Sequence, residues 1–420
     1  MKNKLVANIC RGGGNTLKFY CSLIVAVLSM TTFSQVKTYY VSTSGSDQND
    51  GSANSPFATL PFAQSKADEA IVAGIESVTI NVADGTYDIT ASESSLNLVN
   101  PISIVGNVKD PTKVIILNNS TTHRAVYLEH PSSSLKGLTI ERSKSAETWD
   151  PSGWSGGGLI NMANGLIEDC VITGGSLGSS NSTIAQQGGN VFIAGGVIRR
   201  CKILNGKATI KNNSSYKSYV AAGNICVLGN QGTIPLIENC LISGGYAYGY
   251  VNSPATCRSK AGNMYINGSC RIVNCTIING SGNGVGGVAV YYNSNYTDCK
   301  IVNGIMYNNG GSTTRLYHDW GSDNDKTYGY FVNCAIGNAT KPNTTCIGVD
   351  KAAFENFDGG DYRPRKENPV SPLINAGTSR TEYLKYATSS TDLSGTSRFC
   401  GKLDIGCYEY FTSGFSIIVR

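Results

Sequence analysis

GLIEDCVITGG (165–175), GVIRRCKILNG (196–206) and PLIENCLISGG (235–245) are one phrase written three times. It returns, altered, as CRIVNCTIING (270–280), NYTDCKIVNG (295–304) and GYFVNCAIGN (329–338). Each copy is centred on a cysteine: Cys170, Cys201, Cys240, Cys275, Cys299 and Cys334, at spacings of 31, 39, 35, 24 and 35. Upstream, SLKGLTIERS (134–143) fits the same frame, with Leu138 in the cysteine slot. A glycine leads most cysteines by 12 or 13 residues (Gly158, Gly189, Gly262, Gly287), and Gly223 leads by 17. Each unit has room for two or three short strands with Gly/Asn turns, and none carries a helical period. A unit of that size cannot bury its own apolar face, so successive units must stack. A constant phrase at irregular spacing describes coils joined by loops of variable length. The fold that satisfies it is all-β, a right-handed parallel β-helix rising about 4.8 Å per coil. A propeller would need about four strands per blade and a steadier period.

The alternation inside the phrase sets the faces. In CRIVNCTIING, Ile272 points in, Val273 out, Asn274 bends the chain, Cys275 points in, Thr276 out and Ile277 in. Asn239, Asn274 and Asn333 fill the bend slot, where a short amide satisfies backbone groups and tolerates unusual dihedrals. Asp169 and Asp298 replace it, and Arg200 breaks it. The cysteines read as a ladder of unpaired core thiols. Neighbours one coil apart point the same way, whereas a disulfide needs Cβ atoms about 3.8 Å apart and facing. Off the ladder lie Cys226, Cys257, Cys270, Cys346, Cys400 and Cys407, with a local Cys400–Cys407 bridge left open. There is no CxxC pair and only His123, His130 and His318 are available, which argues against zinc.

Composition agrees with strands and tight turns. Of 420 residues 49 are Gly and 23 Tyr, 40% are apolar and 15% charged. That excludes a disordered chain and a helical bundle. The formal charge of +5 is concentrated at the start, where Lys2, Lys4, Arg11 and Lys18 meet no acid. The stretch 19–30 is apolar and followed by Thr-Thr-Phe-Ser-Gln, so residues 1–34 are expected to be a signal peptide cut after Ser34. The expected mature chain carries 30 basic and 29 acidic side chains, a balance that gives no field for nucleic acid. No later segment is apolar enough for a transmembrane span. The expected destination is outside the cytoplasm: extracellular, cell surface or periplasmic.

The layout expected is a single β-helix domain over 35–410: an N-terminal cap (35–76) with a helix near 61–73, coils over 77–340, and C-terminal coils with an irregular cap over 341–410. Within that cap, Cys407-Tyr-Glu-Tyr reads as the last strand, and 411–420 is a tail. The acidic loop offers Asp47, Asn49 and Asp50 as oxygen ligands for Ca²⁺, against the alternative of an Asx-rich turn. Two end motifs carry a resemblance. YYVSTSGSDQNDGS (39–52) with SPFATL (55–60) and ADGTY (83–87) resembles the amino-terminal cap of secreted bacterial parallel β-helix proteins of the pectate-lyase-like superfamily, in their Bacteroidetes form. SPLINAGT (371–378), DLSG (392–395) and DIGCYEY (404–410) resemble the choice-of-anchor-type C-terminal segment of such surface proteins. The resemblance implies a polysaccharide or surface glycan as partner. It leaves two functions open: a polysaccharide lyase, or a non-catalytic adhesion or glycan-binding protein.

Two sets of residues suit a glycan. The slot two before the cysteine stacks Glu168, Arg199 and Glu238 on successive coils, and Lys202 lies beside them. Together with Arg258 these are the catalytic candidates, since eliminating a uronate needs a base and positive charge on the carboxylate. The alternative is a structural ladder of alternating charge. The second set is aromatic: Trp149, Trp154, Tyr246, Tyr248, Tyr250 and Trp320 fall in long segments between coils, where flat rings stack on sugars. The alternative is that each ring packs its own loop. Segments 207–221 and 246–260 follow equivalent glycines and should lie side by side.

Overall fold

The computed structural model describes residues 35–92, 95–143, 156–179, 187–213, 220–229, 232–251, 259–291, 298–310, 317–319, 330–337 and 344–410. The expected leader and the tail 411–420 lie outside them.

A single coil shows how the molecule is made. Leu166–Glu168 lies in a first face, Val171–Thr173 in a second and Val191–Ile193 in a third. The chain then returns to the first face as Val197–Arg199, paired in parallel with Leu166–Glu168. Repetition gives a ten-stranded first face from Val36–Val41 to Phe331–Val332 and a ten-stranded second face from Gly85–Asp88 to Ile347–Gly348. The third face has eight strands, from Leu96–Leu98 to Tyr317–Asp319. This is the expected parallel β-helix. Its core is built from inward residues that stack in register: Leu135, Ile167, Ile198, Ile237, Ile272, Ile301 and Phe331 form one row, all buried. Each buried aliphatic side chain contributes about 1.5–3 kcal/mol.

The bend between the first and second faces is left-handed. Asp169, Arg200, Asn239, Asn274, Asn303 and Asn333 have φ between 49° and 55°. Asn and Asp adopt this conformation at little cost. Arg200 has no such preference and is held there by its guanidinium, described below. The register corrects one assignment. Cys299 pairs with Cys270 at the start of first-face strands, five residues early for the ladder. The bend of that coil is at Asn303, and Gly304 takes the cysteine slot. Accordingly Val302, not Thr297, joins the outward row of Glu168, and Ile305, not Lys300, joins that of Lys202. The string Cys-Lys-Ile, shared by 201–203 and 299–301, imposes a false frame. The remaining ladder cysteines are free and buried. Each thiol lies within donating reach of carbonyls: Cys240 lies 3.2 Å from Glu238 O and 3.7 Å from Ile198 O. Cys400 and Cys407 are both free, the first exposed and the second buried.

A second ladder enters the third face. Asn190, Asn224, Asn263 and Asn309 are buried and linked by side-chain amide bonds of 2.8–2.9 Å. Each amide oxygen also accepts a glycine N–H: Gly175, Gly206, Gly245 and Gly280 respectively. No buried group in this corner is left to water.

At the N-terminal end the helix Leu60–Val72 buries Leu60, Ala63, Ala67 and Ala70 against the first strands. Thr59 caps it, its hydroxyl accepting from Phe62 N. The C-terminal segment does more than close the other end. After an antiparallel pair, Phe354–Asn356 with Asp361–Pro364, it runs back along the outside of the bend as a strap. Its Tyr383, Ala387 and Leu403 cover Leu236, Val273 and Val302 of the first face. Its Leu373 and Ile405 cover Ile305 and Ala335 of the second. Cys407–Tyr410 is not a strand. Its amides are spent on side chains: Cys407 N on Thr276 Oγ1, Glu409 N on Asp392 Oδ2 and Tyr410 N on Asp404 Oδ2. Arg398 is fully buried beneath it, donating to Asn239 Oδ1, Glu409 Oε2 and Gly406 O. No helix among the described residues is long and apolar enough to cross a membrane.

Candidate functional site: a cation-lined groove at the first bend

The outward row of the first face reads Lys136, Glu168, Arg199, Glu238, Val273, Val302 and Val332. Its charged half precedes its apolar half, and the strap covers the apolar half together with Glu238. Where the strap ends, a groove of about 630 Å³ opens at the bend. Lys136, Asp169, Arg200 and Lys202 form its floor. One wall is the turn at 108–112, which carries Lys109; the other is the strap at 391–395. The turn is stiff. Asp110 caps it by accepting from Thr112, and Thr139 Oγ1 donates to Pro111 O at 2.8 Å. That Thr112 hydroxyl also holds the Asp110 carboxyl below its usual range.

The floor is organised around one carboxylate. Glu168 accepts from Lys136 Nζ at 2.9 Å, from Arg199 Nε at 2.6 Å and from Arg200 Nη2. Arg200 also binds Asp169 at 2.7 Å and donates to Ser389 Oγ of the strap at 3.2 Å. Burial alone would raise the Glu168 pKa. Hydrogen bonds from Lys136 and Arg199, and the charges of Arg200 and Arg199, outweigh it and hold the group at about 2. Burial likewise opposes the charge on Arg200, but the bonds and charges of Asp169 and Glu168 raise its pKa above the usual value. Glu168 is therefore a fixed anion under three cations. Lys202 is exposed, and neither it nor Lys109 has an ion-pair partner among the described residues.

Glu168 and Arg199 are brought together as an ion pair, and Lys202 lines the groove beside Arg200; Glu168 and Arg199 themselves lie outside its lining. Glu238 stacks in register with Arg199, but its carboxylate turns away. It is fully buried and accepts from Thr388 N at 2.8 Å, Thr388 Oγ1 at 2.6 Å and Ser389 N at 3.1 Å, so it anchors the strap and does not face the groove. Lys136 and Lys109 were missed. Lys136 occupies the same slot in the 134–143 phrase, so extending the row by one coil would have found it. Lys109 and the strap wall come from distant segments, which leave no mark in the repeat. Arg258, Trp149, Trp154 and Trp320 lie outside the described residues.

The described parts of the two long segments lie side by side, as strands. Lys207–Asn213 and Tyr246–Val251 pair in parallel within a four-stranded side sheet. Its inner face buries Leu177, Ala208, Ile210 and Ala247. Tyr246 and Tyr248 alternate with these, half-buried, with parallel rings (2°) and centroids 6.3 Å apart. Lys207 pairs with Tyr246 and Thr209 with Tyr248. Tyr250 follows on the same strand. In the acidic loop, Asp47 is already occupied: Oδ1 accepts from Ala58 N and Thr59 N, and Oδ2 from Thr59 Oγ1. Asn49 donates to Pro56 O, and Asp50 accepts from Ser52 N. These bonds tie the loop to the start of the cap helix, as an Asx-rich turn does. Among the described residues no group of three His, Cys, Asp or Glu side chains converges as a metal site would require.

No family model matches the chain, and no curated protein matches it. A solved structure titled "Rhamnogalacturonan lyase" aligns with it at 16% identity and a TM-score of 0.39, covering 83% of this chain and 98% of that one. A likeness at that score carries no inference about chemistry, and the fold stands on the strand registers.

Proposed function

We propose that this is a surface or secreted β-helix protein that binds an acidic polysaccharide in the groove at the first bend. The observation that carries the reading is the pair of cations without ion-pair partners among the described residues, Lys202 and Lys109, lining one open groove. The other cations of the floor are held in place by Glu168 and Asp169, so the free pair can meet a ligand carboxylate without reorganisation. On the separate side sheet, Tyr246 and Tyr248 offer a second, flat apolar surface of the kind sugar rings stack on. Binding is favoured over elimination because Glu168 and Asp169 already hold cations and Glu238 holds the strap. The lyase form would use Lys202 or Arg199 as base, with Ca²⁺ bound from solution. The test is retention of the purified protein on immobilised acidic and neutral glycans, with ultraviolet detection of unsaturated products in parallel. Salt-sensitive retention on acidic glycans, lost in a Lys109→Ala/Lys202→Ala double variant, supports the reading. Equal retention on neutral glycans, or no effect of the double variant, refutes the groove as the site. Accumulating unsaturated product would replace binding with lyase action.

A further inference from the structure

Ladder thiols donate to carbonyls, as Cys170 does to Glu168 O at 3.1 Å and Cys201 to Arg199 O at 3.2 Å. Cys270 and Cys299, at the start of their strands, make a direct sulfur–sulfur contact at 3.4 Å. Their Cα atoms are direct partners in the parallel pairing of Cys270–Val273 with Cys299–Val302. Strands so paired lie about 4.8 Å apart, inside the Cα separation a disulfide accepts; the sulfur contact turns these two side chains toward each other, and closing to about 2.05 Å needs their Cβ atoms to draw in to about 3.8 Å. Both side chains are buried, at 0% and 2% exposure, so a bond formed there is shielded from reductants.

We propose that Cys270 and Cys299 are a modification site: a disulfide that staples two neighbouring coils. The step is a thiol–disulfide exchange. One thiolate attacks a donor disulfide, such as oxidised glutathione or an exported dithiol oxidase, releasing one donor thiol. The second thiolate then attacks the mixed disulfide and releases the other. One sulfur–sulfur bond forms and one breaks; the two protons and two electrons of the cysteines end on the donor. The exchange takes place while the coils are closing, before burial removes the thiols from reach.

The test is to refold the full chain with oxidised glutathione, block remaining thiols, and digest with trypsin without reduction. The expected product joins peptide 261–271, which contains Cys270 alone, to peptide 272–300, at two hydrogen masses below their sum. Because 272–300 also holds Cys275, the bond must persist in Cys275→Ser and vanish in Cys299→Ser. Cys270→Ser and Cys299→Ser should each leave one additional alkylatable thiol. Should a variant fail to fold, fragmentation of the linked peptide from the unmodified chain, which separates Cys275 from Cys299, assigns the bonded cysteine. Recovery of both peptides unlinked and fully alkylated after oxidative refolding, or a link that depends on Cys275, overturns the proposal.

Discussion

Replacing Glu168 by Gln should weaken the fold and strengthen the proposed binding at once. In the folded chain Glu168 titrates at about 2, against an ordinary 4.5. Its pKa is depressed, so the stabilisation is fully present above pH 4.5 and is lost as the pH falls toward 2. A shift of that size corresponds to about 3 kcal/mol at neutral pH. The group is only 6% exposed, so solvent screening discounts this little. The Gln variant should therefore lose about 3 kcal/mol at pH 7, read from urea unfolding midpoints. Its deficit should shrink as both proteins are titrated from pH 4.5 toward pH 2. Removing the anion also adds one uncompensated positive charge to the cluster of Lys136, Arg199 and Arg200 beside the groove. At about 8 Å in a largely aqueous medium that is worth about 0.5–1 kcal/mol toward an anionic ligand, a two- to fivefold gain that salt should erase. A deficit under about 1 kcal/mol, or one independent of pH, would refute the placement of Glu168 as counter-ion to three cations. Weaker retention on acidic glycans would refute the groove.

Asn224→Ala removes two acceptances and two donations: Gly206 N loses its acceptor, while Ser243 O, Asn190 and Asn263 each lose one bond and keep another. At about 1–3 kcal/mol for the orphan and about 0.5–1.5 kcal/mol for each other lost bond, partly relieved by relaxation, the expected loss is about 3–5 kcal/mol, measured by denaturant unfolding; a loss near zero would mean water replaces the amide. Glu238→Ala should free the strap around Thr388 and Ser389, appearing as faster limited proteolysis within 388–395 while the coils resist. Tyr246→Ala/Tyr248→Ala should reduce glycan retention without moving the unfolding midpoint by more than about 1 kcal/mol, since both rings are half-buried and outside the core. Among the described cysteines only Cys400 is exposed, so in the native protein it alone of this set should react quickly with a maleimide.

The expected bend residues and inward rows reappear in the structure because they are local. Alternation along a strand and the left-handed preference of Asn are settled within one phrase, and stacking copies of that phrase leaves a parallel β-helix as the solution. The charged cluster of Glu168, Arg199 and Lys202 was legible for the same reason: neighbours on adjacent coils are set by the repeat register. Where the phrase degenerates, the reading slipped. Cys299 sits in a string that imitates the ladder motif, and only the pairing of Cys270 with Cys299 shows that Asn303 makes the bend.

The outward apolar residues Val273, Val302 and Ile305 carried a signal that something covers them, but not what. The answer lies far along the chain: Tyr383 and Leu403 cover Val273 and Val302, Leu373 covers Ile305, and Glu238 is bound by Thr388 and Ser389, 150 and 151 positions on. Such contacts obey no period, because they arise from the packing of an irregular segment against a finished surface. The sequence by itself determined the coil, its bend and the order of charges along one row. Tertiary structure alone decided which of those charges are buried anchors and which remain free to meet a ligand, because only the position of the strap sets where the groove begins.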